Sequence, residues 1–409
     1  MGCHRRNLCR ILRWKIRLKI NLLLYSHDWF PSVGGVQTVT LALATGFAEW
    51  GKTHPGDSIE VVFITQTPAN GMDDSKFPFP VLRRPSKREL LRCIRSADIL
   101  HVAGPALLPL LMARLVGTPA VVEHHGYHSV CPNGLLLYAP DHTICPGHFM
   151  AGRYAKCLQC NGRDLGWIAS LRNLVSTFPR RWLCERAAGN IAVSNHVAGR
   201  IALPRTRTIY HGIENATAAP QDPAPSGTTP LRIGYAGRLV QEKGLPTLLG
   251  AMKHLASAAI PFHLAFIGDG SQHAELEASV RHLGLQDRVT FTGELHGSDF
   301  TAALQQIQVL VMPSEWEETA GVAAIEQMMR GAVVVAADIG GLSEVVGDAG
   351  LTFPATDSAA LAARLQQIYQ TPSLLNSLGT AARSRATQLF NLHSMIEQHV
   401  RLYQEVIAR

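Results

Sequence analysis

Runs of apolar residues alternate with helical patterns along the first half of the chain. The run from Lys19 to Tyr25 is continuous, which is typical of a strand buried on both faces of a sheet. A helical pattern of apolar residues follows Gly34-Gly35. Further strands are predicted at residues 60–65, 99–102, 120–123 and 190–193. This alternation predicts a parallel sheet covered by helices.

A second series of the same kind begins at Leu231. It follows residues 215–230, which are rich in Ala, Pro and Thr, show no periodicity and therefore predict a linker. The strand-like runs are LRIGYAG, FHLAFIGDG, RVTFTG, VLVMPS, AVVVAAD and AGLTF, and a helix is predicted near 391–408. We therefore predict an α/β protein with two doubly wound, Rossmann-like parallel-sheet domains that face each other across a cleft. Such sheets bind ligands at the carboxyl ends of their strands.

The chain has 409 residues, which is too long for one ordinary core and suits two domains. We assign residues 1–205 to an N-terminal Rossmann-like domain, with a cysteine-rich loop at 131–160. Residues 206–230 form the predicted linker, 231–388 the second domain and 389–409 a closing helix.

Composition narrows the class of protein. Hydrophobic residues make up 46% and charged residues 17%, as in globular domains. The net charge of +7 favours an anionic partner, such as nucleic acid, a lipid surface or a phosphorylated substrate. No apolar run approaches the ~20 residues of a membrane-spanning helix. The eight cysteines occur without a secretory context, so we expect a reducing, cytoplasmic location.

The first twenty residues carry seven Lys or Arg residues interleaved with Trp14 and aliphatic residues. This segment is too interrupted for a secretory signal. Two interpretations stay open. The segment touches an anionic membrane, which would place the protein peripherally at the inner face of the cell membrane, or it is a solvated lead-in to the first strand.

Two acidic residues flank a predicted helix start after the strand VLVMPS. Glu318 precedes Gly321-Val322, where the helix is expected to begin, and Glu326 lies one turn inside it. A helix N-terminus presents unpaired N–H groups and attracts anions. The carboxylates either cap and solubilise the helix or bind neutral hydroxyls while the backbone binds a phosphate.

Other glycines and cations follow the strands of the same sheet. Gly237 permits a tight turn, and Arg238 and Lys243 add a planar fork and a point charge that together suit a diphosphate. Gly268-Asp269-Gly270 follows the next strand, and a Gly-Gly-Leu-Ser-Glu stretch begins at Gly340. Taken alone, the two cations could equally be surface residues beside a turn.

The ordered set of motifs from Ile233 to Pro354 resembles the retaining GT-B glycosyltransferases of group 1, or family 4. The resemblance implies that the helix start at Gly321-Val322, with Arg238 and Lys243, holds the diphosphate of a nucleotide sugar. Glu326 would bind the ribose hydroxyls. Glu318 would bind the transferred sugar and offset its positive charge in the transition state.

The first domain matches this family through Gly34-Gly35 and through the VVEHHG stretch. The resemblance implies that His125 lies near the reacting sugar, where a histidine can bind a donor hydroxyl and orient the acceptor. Gly34 and Gly35 would let the backbone approach the donor phosphates. The donor-binding residues implied by the resemblance are Gly34, Gly35, Gly237, Gly268, Gly321, Val322 and Glu326, and the catalytic ones are His125, Glu318, Arg238 and Lys243.

The function so predicted is retaining transfer of a sugar from a UDP- or GDP-sugar to a glycan or lipid-linked glycan acceptor, in polysaccharide or lipopolysaccharide biosynthesis. No metal is required if the cations and the helix dipole stabilise the diphosphate. The alternatives are a GT-B-fold sugar-nucleotide epimerase and a non-catalytic nucleotide-sugar-binding protein. Nucleic acid is excluded as a partner, because beyond residue 20 no cluster of aromatic and basic residues suits it.

Four of the cysteines lie within thirty residues directly after His125. They are Cys131, Cys145, Cys157 and Cys160, and the last two form a Cys-x2-Cys pair. This spacing suits one tetrahedral metal ion, so a structural zinc is one hypothesis. Two disulfides and four unlinked thiols are the alternatives.

Overall fold

A computed structural model describes residues 18–31, 34–215 and 229–409. The basic segment 1–17 and residues 216–228 of the predicted linker lie outside the described residues. None of the helices within these described ranges is both long and apolar enough to cross a membrane.

Within the described residues, seven strands form the first sheet. They are β1 (Lys19–Ser26), β2 (Ser58–Thr65), β3 (Val81–Arg83), β4 (Ile99–Ala103), β5 (Ala120–His124), β8 (Gly189–Ala192) and β9 (Thr206–Thr208). Their order is β3-β2-β1-β4-β5-β8-β9. The registered pairs are parallel, as Leu22 opposite Val61 and Leu22 opposite Ile99 illustrate. The parallel sheet predicted for the first half is confirmed.

The second sheet has six parallel strands in the described part of the chain. They are β10 (Leu231–Ala236), β11 (Phe262–Ile267), β12 (Val289–Phe291), β13 (Val309–Met312), β14 (Val333–Ala337) and β15 (Leu351–Phe353), in the order β12-β11-β10-β13-β14-β15. Every residue of β13 and β14 is buried, because helices cover both faces of the sheet. An α/β fold with two parallel sheets is therefore confirmed.

The helices surround these strands. They are α1 (Gly35–Ala48), α2 (Trp50–Thr53), α3 (Lys87–Ser96), α4 (Leu107–Val116), α5 (Tyr154–Leu165), α6 (Trp167–Arg186), α7 (Asn195–Ile201), α8 (Leu245–Ser257), α9 (His273–His282), α10 (Gly297–Gln305), α11 (Val322–Arg330), α12 (Leu342–Val346), α13 (Ser358–Gln370), α14 (Ser373–Leu389) and α15 (Leu392–Ile407). Short 3-10 turns occupy Asp74–Lys76, Gln241–Lys243 and Gly347–Ala349. The closing helix predicted near 391–408 is confirmed as α15.

Backbone contacts divide the chain into two compact units. The first comprises residues 1–123, 187–189 and 399–409, and the second comprises 124–186 and 190–398. The domain boundaries predicted from the sequence stay a prediction. The predicted linker, 206–230, starts with the short strand β9.

In the first unit, a buried polar network joins α15 to two strands. The ring of His101, on β4, has Nδ1 2.6 Å from the Tyr403 hydroxyl and Nε2 3.0 Å from Glu123 Oε2. His399 Nε2 lies 3.7 Å from the same Glu123 oxygen. All four side chains are buried. These contacts fix the end of the chain to β4 and β5.

The segment predicted as a cysteine-rich loop is more regular than its pattern indicated. Residues Leu137–Tyr138 (β6) and Thr143–Ile144 (β7) pair as a small antiparallel hairpin. Helix α5 begins at Tyr154, so Cys157 and Cys160 lie on its first two turns rather than in a loop. The sequence did not predict this helix, because it has too few apolar residues to show a clear helical periodicity.

Candidate active site

The strand ends of the second sheet approach each other closely. Gly237 follows β10 and Gly268 follows β11, with φ angles of +146° and +131°. A Cβ on Gly268 would collide with the carbonyl oxygen of Gly237. Glycine is therefore required here by both backbone angle and space. Both predicted donor-binding glycines lie at the carboxyl edge of the sheet.

Helix α11 begins where the sequence predicted. Gly321 takes the left-handed conformation, with φ +65°, and Val322 is the first helical residue. A side chain at Gly321 would meet Leu342 Cδ2 at 2.5 Å. This nine-residue helix follows β13 in the chain, and the loop that joins them carries Glu318 just before the helix N-terminus.

Glu318 is buried in this loop and is paired with Lys243. The Lys243 ammonium donates to Glu318 Oε1, and Ser314 Oγ donates to the same oxygen at 2.7 Å. Burial alone would raise the pKa of Glu318, but the charge and hydrogen bond of Lys243, with the bond from Ser314, outweigh it and lower the pKa. The carboxylate is therefore ionised near neutral pH.

Arg238 is not part of this pair. Its side chain is 71% exposed, and its guanidinium lies 3.7 Å from Glu242 Oε1. Arg238 and Lys243 therefore occupy the same turn region after β10, but of these two cations it is Lys243 that contacts Glu318.

Glu326 lies on the first turn and a half of α11 and is half-buried. Burial raises its pKa, and the charge of Arg330 one turn later opposes the rise. A carboxylate in this setting gains most from hydroxyl donors, because hydroxyls restore the hydrogen bonds that burial removes.

Glycines after β14 hold the Glu318 loop in place. A Cβ on Gly340, which has φ +61°, would lie 2.6 Å from both the N and the O of Glu318. The Gly341 N–H donates to the carbonyl oxygen of Glu318 at 2.6 Å. The Gly-Gly stretch therefore packs directly on the backbone of the motif loop.

His125 pairs with a histidine that the sequence reasoning missed. His125 Nδ1 lies 3.1 Å from Nε2 of His211, which is buried. His211 is followed by Gly212, just as His125 is followed by Gly126, and each pair comes soon after a strand. The same His-Gly signal at 211 could have identified this residue.

The loops that carry His125 and Glu318 also contact each other within the second unit. The Tyr127 hydroxyl donates to the carbonyl oxygen of Glu317 at 3.0 Å, and Arg200 Nε lies 2.9 Å from Glu317 Oε2. Thr319 Oγ1 donates to the His125 carbonyl oxygen at 3.3 Å. These contacts therefore place His125 next to the loop that carries Glu318, the partner of Lys243.

The four cysteines are each buried and are unlinked by disulfides in the described residues. Backbone N–H groups donate to two of them, from His148 to Cys145 Sγ at 3.5 Å and from Ala139 to Cys160 Sγ at 3.4 Å. Burial, followed by the proximity of the other three thiols, raises the pKa of Cys157 to about 12. Within the described residues these four sulfur atoms are not among the groups of side chains close enough together to hold a metal ion, so the structural zinc stays a prediction.

Gly34 and Gly35 lie in the first unit, at the start of α1. Gly34 has an extended backbone that any residue could adopt, and a Cβ there would meet the flexible end of Gln37 at 2.7 Å. Their predicted contact with donor phosphates stays a prediction.

Several known proteins resemble this chain. Residues 221–385, less than half of the chain, match the family model "Glycosyl transferases group 1". The chain is 28% identical over 328 residues to a 2-deoxystreptamine glucosyltransferase of Streptomyces kanamyceticus, covering 75% of each chain. It is 29% identical over 335 residues to an alpha-maltose-1-phosphate synthase of Mycobacterium tuberculosis, covering 73% of this chain and 82% of the relative.

Among solved structures, HepE from Anabaena, crystallised in complex with UDP, superimposes with a TM-score of 0.71 at 18% identity. The match covers 94% of this chain and 100% of HepE. The fold is that of the GT-B glycosyltransferases. The matched family and the names of the relatives support a glycosyltransferase, as the sequence motifs predicted.

Proposed function

We propose that this protein is a retaining glycosyltransferase that transfers a sugar from a nucleotide diphosphate to a glycan or lipid-linked glycan, in polysaccharide or lipopolysaccharide-type biosynthesis. The observation that carries the proposal is the partly buried Lys243–Glu318 pair beside the N-terminus of α11. A cation and a helix N-terminus suit a diphosphate, and an ionised carboxylate suits a sugar.

UDP is the nucleotide we favour for the donor. HepE, which shares the fold, has been solved with UDP and with UDP-glucose. In this proposal the half-buried Glu326 carboxylate accepts hydrogen bonds from the two ribose hydroxyls. GDP-sugars are the second choice.

The reaction proposed is front-side displacement. As the bond between the anomeric carbon and the diphosphate oxygen breaks, Lys243, Arg238 and the α11 N–H groups stabilise the growing negative charge. Glu318 offsets the positive charge on the sugar. The acceptor hydroxyl attacks from the same face and passes its proton to the departing phosphate oxygen, which retains the configuration. His125 orients the acceptor or a donor hydroxyl, and no metal is needed for these steps.

The proposal places the enzyme in the cytoplasm, peripherally at the membrane face where lipid-linked acceptors are elongated. The test is nucleotide release from UDP- and GDP-sugars, with and without polyprenyl-diphosphate-linked glycans. Acceptor-dependent release of UDP, with an α-linked product from an α-linked donor, supports the proposal. Interconversion of the donor sugar without glycosyl transfer would indicate an epimerase. Saturable donor binding with no turnover on any acceptor would indicate a binding protein.

A further inference from the structure

Helix α6 carries an apolar stripe on its exposed side. The stripe consists of Ile168, Leu171, Val175, Phe178 and Trp182, which recur at intervals of three and four residues and therefore lie on one face. All five are exposed, Ile168 by 88% and Val175 by 57%. We call these five residues the α6 apolar face.

The opposite side of the helix is already packed. Leu174 and Leu183 are buried there, together with the small polar residues Ser170 and Thr177. The hydroxyls of these two residues bond within the helix, Ser170 to Gly166 O at 2.9 Å and Thr177 to Asn173 O at 2.8 Å. The core therefore does not account for the large apolar residues on the outer side.

The apolar face continues onto neighbouring residues. The ring of Phe178 lies 5.3 Å from that of Tyr154, which is exposed, and 4.9 Å from that of Phe149, which is buried beneath them. At the other end of α6, Trp167 is 65% exposed and lines a shallow groove of about 370 Å³ with Ile168 and Arg172. An exposed apolar surface of this extent marks an interaction site.

The sequence around α6 is basic. Residues 150–186 contain seven Lys or Arg residues and two acidic residues, a balance of +5 in a chain whose net charge is +7. One of the two acids, Glu185, is paired with Arg181 at 2.8 Å. The Arg186 guanidinium stacks over the Trp182 ring at 4.3 Å, which places a cation beside the apolar face.

We propose that the α6 apolar face docks on an anionic lipid surface. A helix with an apolar stripe, basic borders and tryptophan lies in the plane of the membrane interface and inserts only its apolar face. Arg172 and Arg186 border the stripe and would meet lipid phosphates. A second copy of this chain suits the surface less well, because self-association would bring two sets of like charges together.

This inference does not depend on the proposed glycosyl transfer, since vesicle binding requires neither donor nor turnover. The experiment uses the full chain with vesicles of phosphatidylcholine alone or with phosphatidylglycerol added, measured by flotation. We expect binding to the anionic vesicles that weakens as salt increases. Ile168→Ser/Val175→Ser should lower the affinity at least about tenfold, because two exposed apolar side chains are lost from the contact.

A charge variant and a control complete the design. Arg172→Gln/Arg186→Gln should weaken binding to anionic vesicles and make the remaining binding less sensitive to salt. Leu389→Ser, at an exposed leucine on α14, should bind as the unmodified chain does. Full binding by Ile168→Ser/Val175→Ser overturns the proposal and assigns any membrane contact to another segment, such as residues 1–17. A concentration-dependent dimer that this double variant abolishes, without vesicle binding, overturns it in favour of a second copy.

Discussion

The half-buried Lys243 and the buried Glu318 form an ion pair although 75 residues separate them in the chain. The lysine comes from the turn after β10 and the glutamate from the loop after β13, two strands that are neighbours in the sheet. The pair thus joins the residue proposed to contact the diphosphate to the one proposed to contact the sugar. Both charges are positioned by the same edge of the sheet.

The first prediction concerns the pH dependence of stability. In the unmodified chain Glu318 has a lowered pKa, so its stabilising contribution is present above the unfolded pKa and is lost as pH falls through the lower folded pKa. In Lys243→Met, burial dominates and raises the pKa instead. The variant should therefore lose stability as pH rises from 5 to 7.5, by about 2 kcal/mol or more relative to the unmodified chain. Urea unfolding at both pH values measures this change.

The control for this prediction is Lys243→Met/Glu318→Gln. It removes the titrating carboxyl as well, so the additional pH dependence of the free energy of unfolding should disappear. An equal loss of stability at both pH values in Lys243→Met alone would show that the ion pair does not determine the ionisation of Glu318.

Glu326→Gln should weaken donor binding by about tenfold to a hundredfold, because the amide cannot accept two charge-assisted hydrogen bonds from the ribose. Calorimetric titration with UDP measures it without turnover. Glu275→Gln, at an exposed glutamate on α9, is the matched control and should leave the affinity unchanged. Unchanged UDP affinity in Glu326→Gln would reject the assignment.

His211→Leu should lower kcat by about tenfold or more with little change in UDP affinity, because His211 holds the ring of His125 through the 3.1 Å contact. His211→Gln should recover part of the rate, since its amide can still hydrogen-bond to His125. If His211→Leu and His211→Gln lose stability and rate to the same extent, His211 contributes only to the packing of the core and does not position His125.

Gly340→Ala should destabilise the protein by about 3 kcal/mol or more and abolish activity, because the new Cβ meets the backbone of Glu318. Gly284→Ala is the matched control. Gly284 also has a positive φ, +68°, but a Cβ there meets open space, so only the backbone cost of ~1 kcal/mol remains. Similar losses of stability in the two variants would show that the Glu318 loop can shift to accommodate the new Cβ, and would contradict the prediction.

Protein purified under reducing conditions should contain about one zinc per chain, held by Cys131, Cys145, Cys157 and Cys160. Metal analysis measures the stoichiometry, and Cys157→Ser should lower both the zinc content and the thermal stability. Cys93→Ser, at a half-buried cysteine on α3, is the control and should retain the metal. Metal-free protein with four freely titratable thiols at these positions would reject the site.

Much of this protein was predictable from local patterns. The apolar runs predicted most strands of both sheets, because a strand buried on both faces needs a nearly continuous apolar sequence. They did not predict the short edge strands β3 and β9, and β9 (Thr206–Thr208) contains no apolar residue. The start of α11 was predictable as well, because Gly321 suits the left-handed residue that precedes the helix and Glu326 falls one turn later. These features depend on residues close together in the chain.

Only the tertiary structure decided which distant residues meet. The Lys243–Glu318 and His125–His211 contacts join residues 75 and 86 positions apart, and they depend on which strand ends become neighbours. The sequence of α6 likewise shows an apolar stripe, but it does not show whether that stripe is buried or exposed. Packing places Ser170 and Thr177 inward and leaves Ile168 and Val175 outside, because the side of a helix that becomes buried is set by the elements packed against it.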